Sequence, residues 1–315
     1  STEEQLLAAQ NRIKELEAEN EQLRMEKFGL HRFINDDFSI RYYTGFPSYK
    51  HLVDFYNAVA PHAANMLRYT QHQRILRTPG TQRRPKNHKL LLIDQLFLFL
   101  IKLRLGDQDK DLGDNFNVSQ SLVSRNTLTW ANFLYCLLGS QPLWPTRDQI
   151  RHHLPKSFRD NYPDVRVVID CTELRVQSPS SLVLNSMLYS NYKSSTTFKC
   201  LIGVTPRGTI SFISSLYSGS ISDKAITKVS GFLGLLEPGD VVMADKGFLI
   251  QECLEEKGCT LVIPHFLANH GQFSKEENTE NQKVTNARVH VERAIRRCKE
   301  FQFFDKPLPL NMAFT

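Results

Sequence analysis

Three carboxylates stand where a hard divalent cation could use them. Val165-Arg166-Val167-Val168-Ile169-Asp170 and Asp240-Val241-Val242-Met243-Ala244-Asp245 are both short branched apolar runs that close on Asp. Such runs read as buried central strands, and ligand sites in open α/β sheets gather at the carboxyl ends of such strands. Asp170 and Asp245 on neighbouring strands could therefore share a cation. The third acid, Glu292, lies in a Gly- and Pro-free stretch, Ala287 to Lys299, which predicts a helix. Mg²⁺ prefers oxygen donors and keeps several waters, so a phosphodiester-cleaving site needs a few carboxylates converging from different elements. Arg288 and Arg296 flank Glu292 at i−4 and i+4, where they could line a phosphate or simply form a salt-bridge ladder. Asp223, after Ser222, reads as part of a helix start, with capping as its role. Lys246, next to Asp245, fits a phosphate contact and an exposed turn equally.

The elements that must hold these acids read as strands at 165–174, 197–205 and 209–217, a helix from Asp223 to Leu236, the Asp245 strand, a helix over Leu249 to Lys257, a strand at 260–264, a polar stretch over 267–284 and the Glu292 helix. That order makes a mixed sheet with helices on its faces.

Ahead of it, residues 89–140 give three helices, Lys89 to Leu105, Lys110 to Phe116 and Ser119 to Leu138, broken at Gly106 and Asn117. A short helix, a tight turn and a helix capped by Ser119 form the pattern of a helix-turn-helix, with Gln120, Ser121, Ser124 and Arg125 at its DNA-reading end. Tyr49 to Leu67 reads as a further helix. The segment 74–89 carries Arg83, Arg84 and Lys86 among other cations with almost no apolar residues, a basic linker suited to a phosphate backbone. Residues 3–30 carry heptads with Leu6, Ile13, Asn20 and Lys27 at one seam position and Ala9, Leu16, Leu23 and Leu30 at the other. Leu16, Asn20 and Leu23 predict a parallel dimer, because one seam Asn favours an in-register pair, with Arg12 facing Glu17 of a second copy. The expected divisions are 1–32 (coiled coil), 33–88 (helical segment and linker), 89–140 (helix-turn-helix), 141–160 (connector) and 161–315 (catalytic domain).

The net charge of +6 hides a split: the first thirty residues are net −3, which leaves +9 on the remainder. An excess of that sign favours a polyanionic partner. Six scattered cysteines without a C-x-x-C pair point to reduced thiols inside the cell. Cys253, Cys259, His265 and His270 match no usual zinc spacing. The longest apolar run, Leu90 to Leu103, is too short for a membrane span and holds Asp94 and Lys102, so no membrane is expected. A start at Ser1 rather than Met reads as a piece of a longer polypeptide.

Several motifs together bring a family into view. Val168-Ile169-Asp170-Cys171-Thr172-Glu173, Tyr189-Ser190-Asn191-Tyr192-Lys193, Gly219 to Lys224, Ala244-Asp245-Lys246-Gly247-Phe248 and Arg288 to Arg293 resemble the PIF/Harbinger DDE transposases. The branch resembled most is that of the DDE superfamily endonucleases, often joined to a THAP zinc finger, and the likeness runs over about residues 85–305. The resemblance implies an RNase H-like fold, dependence on Mg²⁺ or Mn²⁺, and cleavage and joining of double-stranded DNA at transposon ends, which places the chain in the nucleus. It also assigns the third metal donor to Glu292 rather than Glu173 or Asp223. The competing expectation is a domesticated, sequence-specific DNA-binding protein that keeps the fold but performs no chemistry.

Overall fold

A computed structural model describes residues 2–63, 66, 90–264 and 275–310. It divides into two compact units, 1–140 and 141–315.

The first unit is all helical. It contains α1 (Thr2–Glu26), a 3-10 turn at Leu30–Phe33, α2 (Asp37–Thr44), α3 (Tyr49–Ala63), α4 (Leu92–Leu105), α5 (Asp109–Asn115) and α6 (Gln120–Gly139). Helix α4 is apolar nearly all round, and Leu96 to Ile101 are buried without a break. A helix of that kind has to be enclosed, and Leu52, Leu112, Phe116, Val123 and Trp130 enclose it. Two polar contacts fix its depth: Asp94 Oδ1 accepts from the Leu30 N–H at 3.0 Å, and Asn126 Nδ2 donates to the Gln95 carbonyl at 2.8 Å.

The expected heptad run does not keep all its seam residues free. Leu30, assigned to the seam, is 2% exposed inside the unit, and α1 stops at Glu26. Leu6, Ile13 and Leu16 remain exposed. Arg12 Nη1 binds Glu15 of its own helix at 3.0 Å. The side chains of Asn20 and Leu23, and the linker residues Arg83, Arg84 and Lys86, lie outside the described residues.

The second unit is mixed α/β, with a curled sheet and helices on both faces. After α7 (Arg147–His152) and α8 (Lys156–Asn161) come β1 (Val165–Arg175), α9 (Leu182–Leu188), β2 (Tyr189–Ser190), β3 (Ser195–Val204), β4 (Ile210–Ile213), β5 (Tyr217–Ser218), α10 (Asp223–Val229), β6 (Val241–Met243), α11 (Gln251–Glu255), β7 (Thr260–Val262) and α12 (Lys275–Lys299). The sheet order is β2-β3-β1-β6-β7, with β4 and β5 also pairing β3. Strand β1 runs antiparallel to β3 and parallel to β6, and β6 runs parallel to β7. On one face Val168, Ile202 and Met243 pack against Ala287, Val291 and Ile295 of α12; on the other, Val167, Ile169 and Val242 pack against Ile226, Phe232 and Leu254. Among the described residues no helix is long and apolar enough to cross a membrane.

The strand expected at 165–174 is β1, which β3 pairs as far as Arg175. Three expectations are corrected. The expected helix from Asp223 to Leu236 breaks after Val229, where Gly231 turns into the left-handed region at φ 81°. The stretch between the strands expected at 165–174 and 197–205, given no element from the sequence, contains α9. The polar stretch ends early, because α12 begins at Lys275.

A buried ion cluster ties the start of this unit to the sheet. Asp240 is 2% exposed and accepts from Arg147 Nε at 2.8 Å; the buried Arg166 guanidinium stands 3.7 Å from it and lies 5.2 Å over the Trp144 ring. Removing one member of such a cluster leaves a buried charge without compensation, a loss of about 3 kcal/mol. Asp240→Ala is therefore expected to lower the unfolding free energy of residues 141–315 by about 3 kcal/mol, seen as a urea transition at lower concentration by circular dichroism.

Candidate functional site

The site starts from where β6 stops. Its parallel pairing with β1 ends at Val168 opposite Met243. Asp170 and Asp245 each lie two residues further along, so the two strands deliver their acids with the same stagger at one edge. Asp170 is half-buried and its Oδ1 accepts from the Cys171 N–H at 2.8 Å. Burial pushes its pKa up to about 6, against the pull of the Cys171 N–H and Arg288, while the nearby charges of Asp245 and Asp223 push it further up. A half-buried carboxylate with like charges beside it is short of positive charge.

One buried cation pairs with Asp245. Arg288, 8% exposed on α12, donates from Nη1 to Asp245 Oδ1 at 3.1 Å, and its charge is also felt at Asp170. At 100° per residue, Arg288, Glu292 and Lys299 share a stripe about 40° wide. Lys299 is pushed toward its neutral form by burial and by Lys193, and pulled back by Asp170 and Glu173, so this stripe faces the acids. Glu292 itself is exposed. Among the described residues no three His, Cys, Asp or Glu side chains are grouped closely enough to hold a metal ion. Arg296 is exposed and about 80° round the helix from Arg288, and Lys246 is half-buried in the turn after Asp245.

The residue that sequence reasoning set aside is Asp223. Ser222 does the capping, accepting from the Ala225 N–H at 3.1 Å. The Asp223 carboxylate is left for other partners: Lys199 Nζ stands 3.4 Å away, and the Cys171 thiol donates to it. Burial first, and then Asp223, hold that thiol far above its ordinary pKa. A Cβ on Gly247 would stand 3.2 Å from Asp223 Oδ2, so Asp223 also abuts the turn that carries Asp245. The sequence signal was Lys199 at alternate spacing on β3 opposite Glu173, visible only once the register is known. Glu173 is engaged separately, accepting from Thr197 Oγ1 at 2.7 Å.

In the first unit, α5 and α6 form the expected pair of helices. Asn117 turns at φ 52°, and a Cβ on Gly113 would stand 2.8 Å from the Val118 carbonyl, so the turn closes only because position 113 is Gly. Gln120, Ser121 and Arg125 are exposed at the start of α6 and Ser124 is half-buried. Ser119 occupies the cap position, but its hydroxyl makes no cap hydrogen bond. Cys253 and Cys259 are buried, and His265 and His270 lie outside the described residues.

Comparison with known proteins agrees with both units. Residues 169–315 match the family model of the DDE superfamily endonuclease, and residues 88–140 match that of the helix-turn-helix of DDE superfamily endonuclease. A Xenopus laevis protein named "Putative nuclease HARBI1" is 24% identical over 155 residues, a match that covers 47% of this chain and 44% of that protein. The chain thus carries a region of DDE superfamily endonuclease type behind the helix-turn-helix found with it, an arrangement that points to nuclease chemistry on DNA.

The Asp170 shift has a consequence for stability. In the unfolded chain the carboxyl ionises near its ordinary 3.8, and in the folded chain near 6. Between those values the folded state binds more protons, so this contribution is fully present below 3.8 and is lost as pH rises through about 6. In the presence of a chelator, Asp170→Asn is expected to raise the thermal midpoint at pH 8 and leave it unchanged at pH 3.5, as measured by calorimetry.

Proposed function

We propose that this chain is a metal-dependent DNA-cutting enzyme of the PIF/Harbinger transposase kind, acting at transposon ends and joining them to target DNA in the nucleus. The observation that carries the reading is the equal stagger of Asp170 and Asp245 beyond the β1–β6 pairing, with Arg288 paired to Asp245. The strand order, a long central β1 antiparallel to β3 and parallel to β6, supports an RNase H-like assignment for residues 161–315.

The donor set suits Mg²⁺, with Mn²⁺ able to substitute: the acids offer hard oxygens, and Asp170 is held in surplus negative charge. Asp170, Asp245 and Glu292 would hold the ion. When bound it supplies the charge that activates a water or a 3′-hydroxyl and stabilises the leaving oxygen. The chain's own residues do the rest. Half-burial limits water at Asp170, the Arg288 guanidinium orients the Asp245 carboxylate, and Arg288 and Lys299 offer positive charge to the phosphate on the same stripe as Glu292. Lys246 and Arg296 flank this track, while Gln120, Ser121, Ser124 and Arg125 read the DNA and Arg83, Arg84 and Lys86 follow its backbone.

A second reading, a DNA-binding protein without chemistry, is favoured by one observation. Arg288 already neutralises Asp245, and Glu292 is not gathered with the two Asp residues. Cleavage of supercoiled plasmid and of end-bearing duplexes in Mg²⁺ separates the two. Asp170→Ala, Asp245→Ala and Glu292→Ala are each expected to lower the rate by at least about a hundredfold while duplex affinity stays within about twofold. Wild-type cleavage that all three variants retain overturns the enzymatic reading.

The exposed Leu6, Ile13 and Leu16 on a helix 25 residues long support pairing with a second copy. Sedimentation at micromolar concentration is expected to show a dimer that Ile13→Glu with Leu16→Glu converts to monomer; a monomeric wild type removes the dimer.

A further inference from the structure

The insert between β1 and β3 is unusual in what it exposes. In α9 and the turn after β2, Leu182 is 85% exposed, Val183 70%, Met187 52% and Tyr192 84%. Large apolar side chains grouped in this way on a surface mark a binding site more often than chance.

The insert is firmly held. Ser220 Oγ donates to the Met187 carbonyl at 2.7 Å, and β2 pairs with β3 at Tyr189 opposite Thr196. A Cβ on Gly219 would collide with Thr197 Oγ1 and stand 2.6 Å from the Leu188 carbonyl, so the chain packs there as closely as only Gly permits. Leu188 is buried with Val176 and Phe198. The apolar residues are thus presented outward from a pinned base.

Their neighbours identify the occupant. Lys193 Nζ sits 4.5 Å over one face of the Tyr192 ring and leaves the other face to solvent. Arg175 pairs with Thr197 and Tyr189 with Thr196, so the turn that carries Tyr192 lies beyond the Arg175 end of β1. From Asp170 to Arg175, at the far end of β1, is about 17 Å, or roughly five base steps of DNA. A flat aromatic face backed by a cation and edged with apolar side chains fits nucleobases on a phosphate chain, because every base offers a π-face for stacking. Paired bases hide those faces, whereas unpaired ones present them.

We infer that residues 182–193 form a stacking surface for unpaired DNA bases some base steps away from the Asp170 site, with Tyr192 as the platform, Lys193 as its phosphate contact, and Leu182 and Val183 as the apolar edge. The inference rests on the DNA-cutting reading for its substrate but not on catalysis.

The test is fluorescence anisotropy in EDTA, where no cleavage occurs, with two labelled probes: a fully paired duplex, and the same strands with one end left unpaired. The full chain is expected to bind the forked probe more tightly than the duplex. Tyr192→Ala should weaken fork binding by about five- to a hundredfold, leave duplex binding unchanged and keep the circular dichroism spectrum, and Tyr192→Phe should restore the preference. Equal binding of both probes by the wild type, or a fork preference that survives Tyr192→Ala, overturns the inference. So does a Leu182→Ser, Val183→Ser variant that changes sedimentation but not fork binding, because the face then joins copies of the chain. Loss of metal-dependent cleavage alone leaves these outcomes intact, so the two readings fail separately.

Discussion

A half-buried carboxylate with too little positive charge around it is the constraint on which the second unit depends. Asp170 sits on the central strand, where burial opposes its ionised form, and Asp245 and Asp223 add like charge. The surrounding elements can be read as answers to that cost. Strand β6 stops early enough to bring Asp245 alongside, and α12 packs Val284, Ala287, Val291 and Ile295 onto the sheet so that the buried Arg288 meets Asp245. On the other face Lys199 meets Asp223, and burial first, with Asp223 adding to it, keeps the Cys171 thiol protonated. The compensation is partial, and a site left short of positive charge is one prepared for a cation.

The two units divide the work along physical lines. The first builds its stability from an enclosed apolar helix, α4, and an aromatic cluster in which Phe28, Phe97 and Phe116 meet at 5.1–6.2 Å. This frees the start of α6 to remain polar and exposed. The second builds its stability from a sheet covered on both faces, which leaves its strand ends and the Tyr192 insert free to carry polar chemistry.

Much of this was legible in the residues, for local reasons. The helix-turn-helix announced itself through Gly106, which is left-handed at φ 64°, through Asn117, which is also left-handed, and through Ser119 at the cap position. The two Asp strands were visible because branched apolar runs stop at an acid. What stayed hidden depends on pairing between distant segments. The second role of Asp223 follows from the register that sets Lys199 near it. Leu30 kept the heptad spacing, yet an aromatic core 60 residues away in sequence competed for it and won, as its backbone bond to Asp94 records. Helix α9 was missed because its exposed apolar residues follow no helical stripe.

The central claim is that Asp170 and Asp245 form one cation site. Titration of the full chain with Mn²⁺, followed by the loss of the free-ion paramagnetic resonance signal, tests it without DNA or turnover. The account predicts saturable binding that Asp170→Asn and Asp245→Asn each abolish and that Gln120→Ala leaves intact. Binding of the same strength and stoichiometry in Asp170→Asn and in the unaltered chain, or no binding by the unaltered chain, would contradict it.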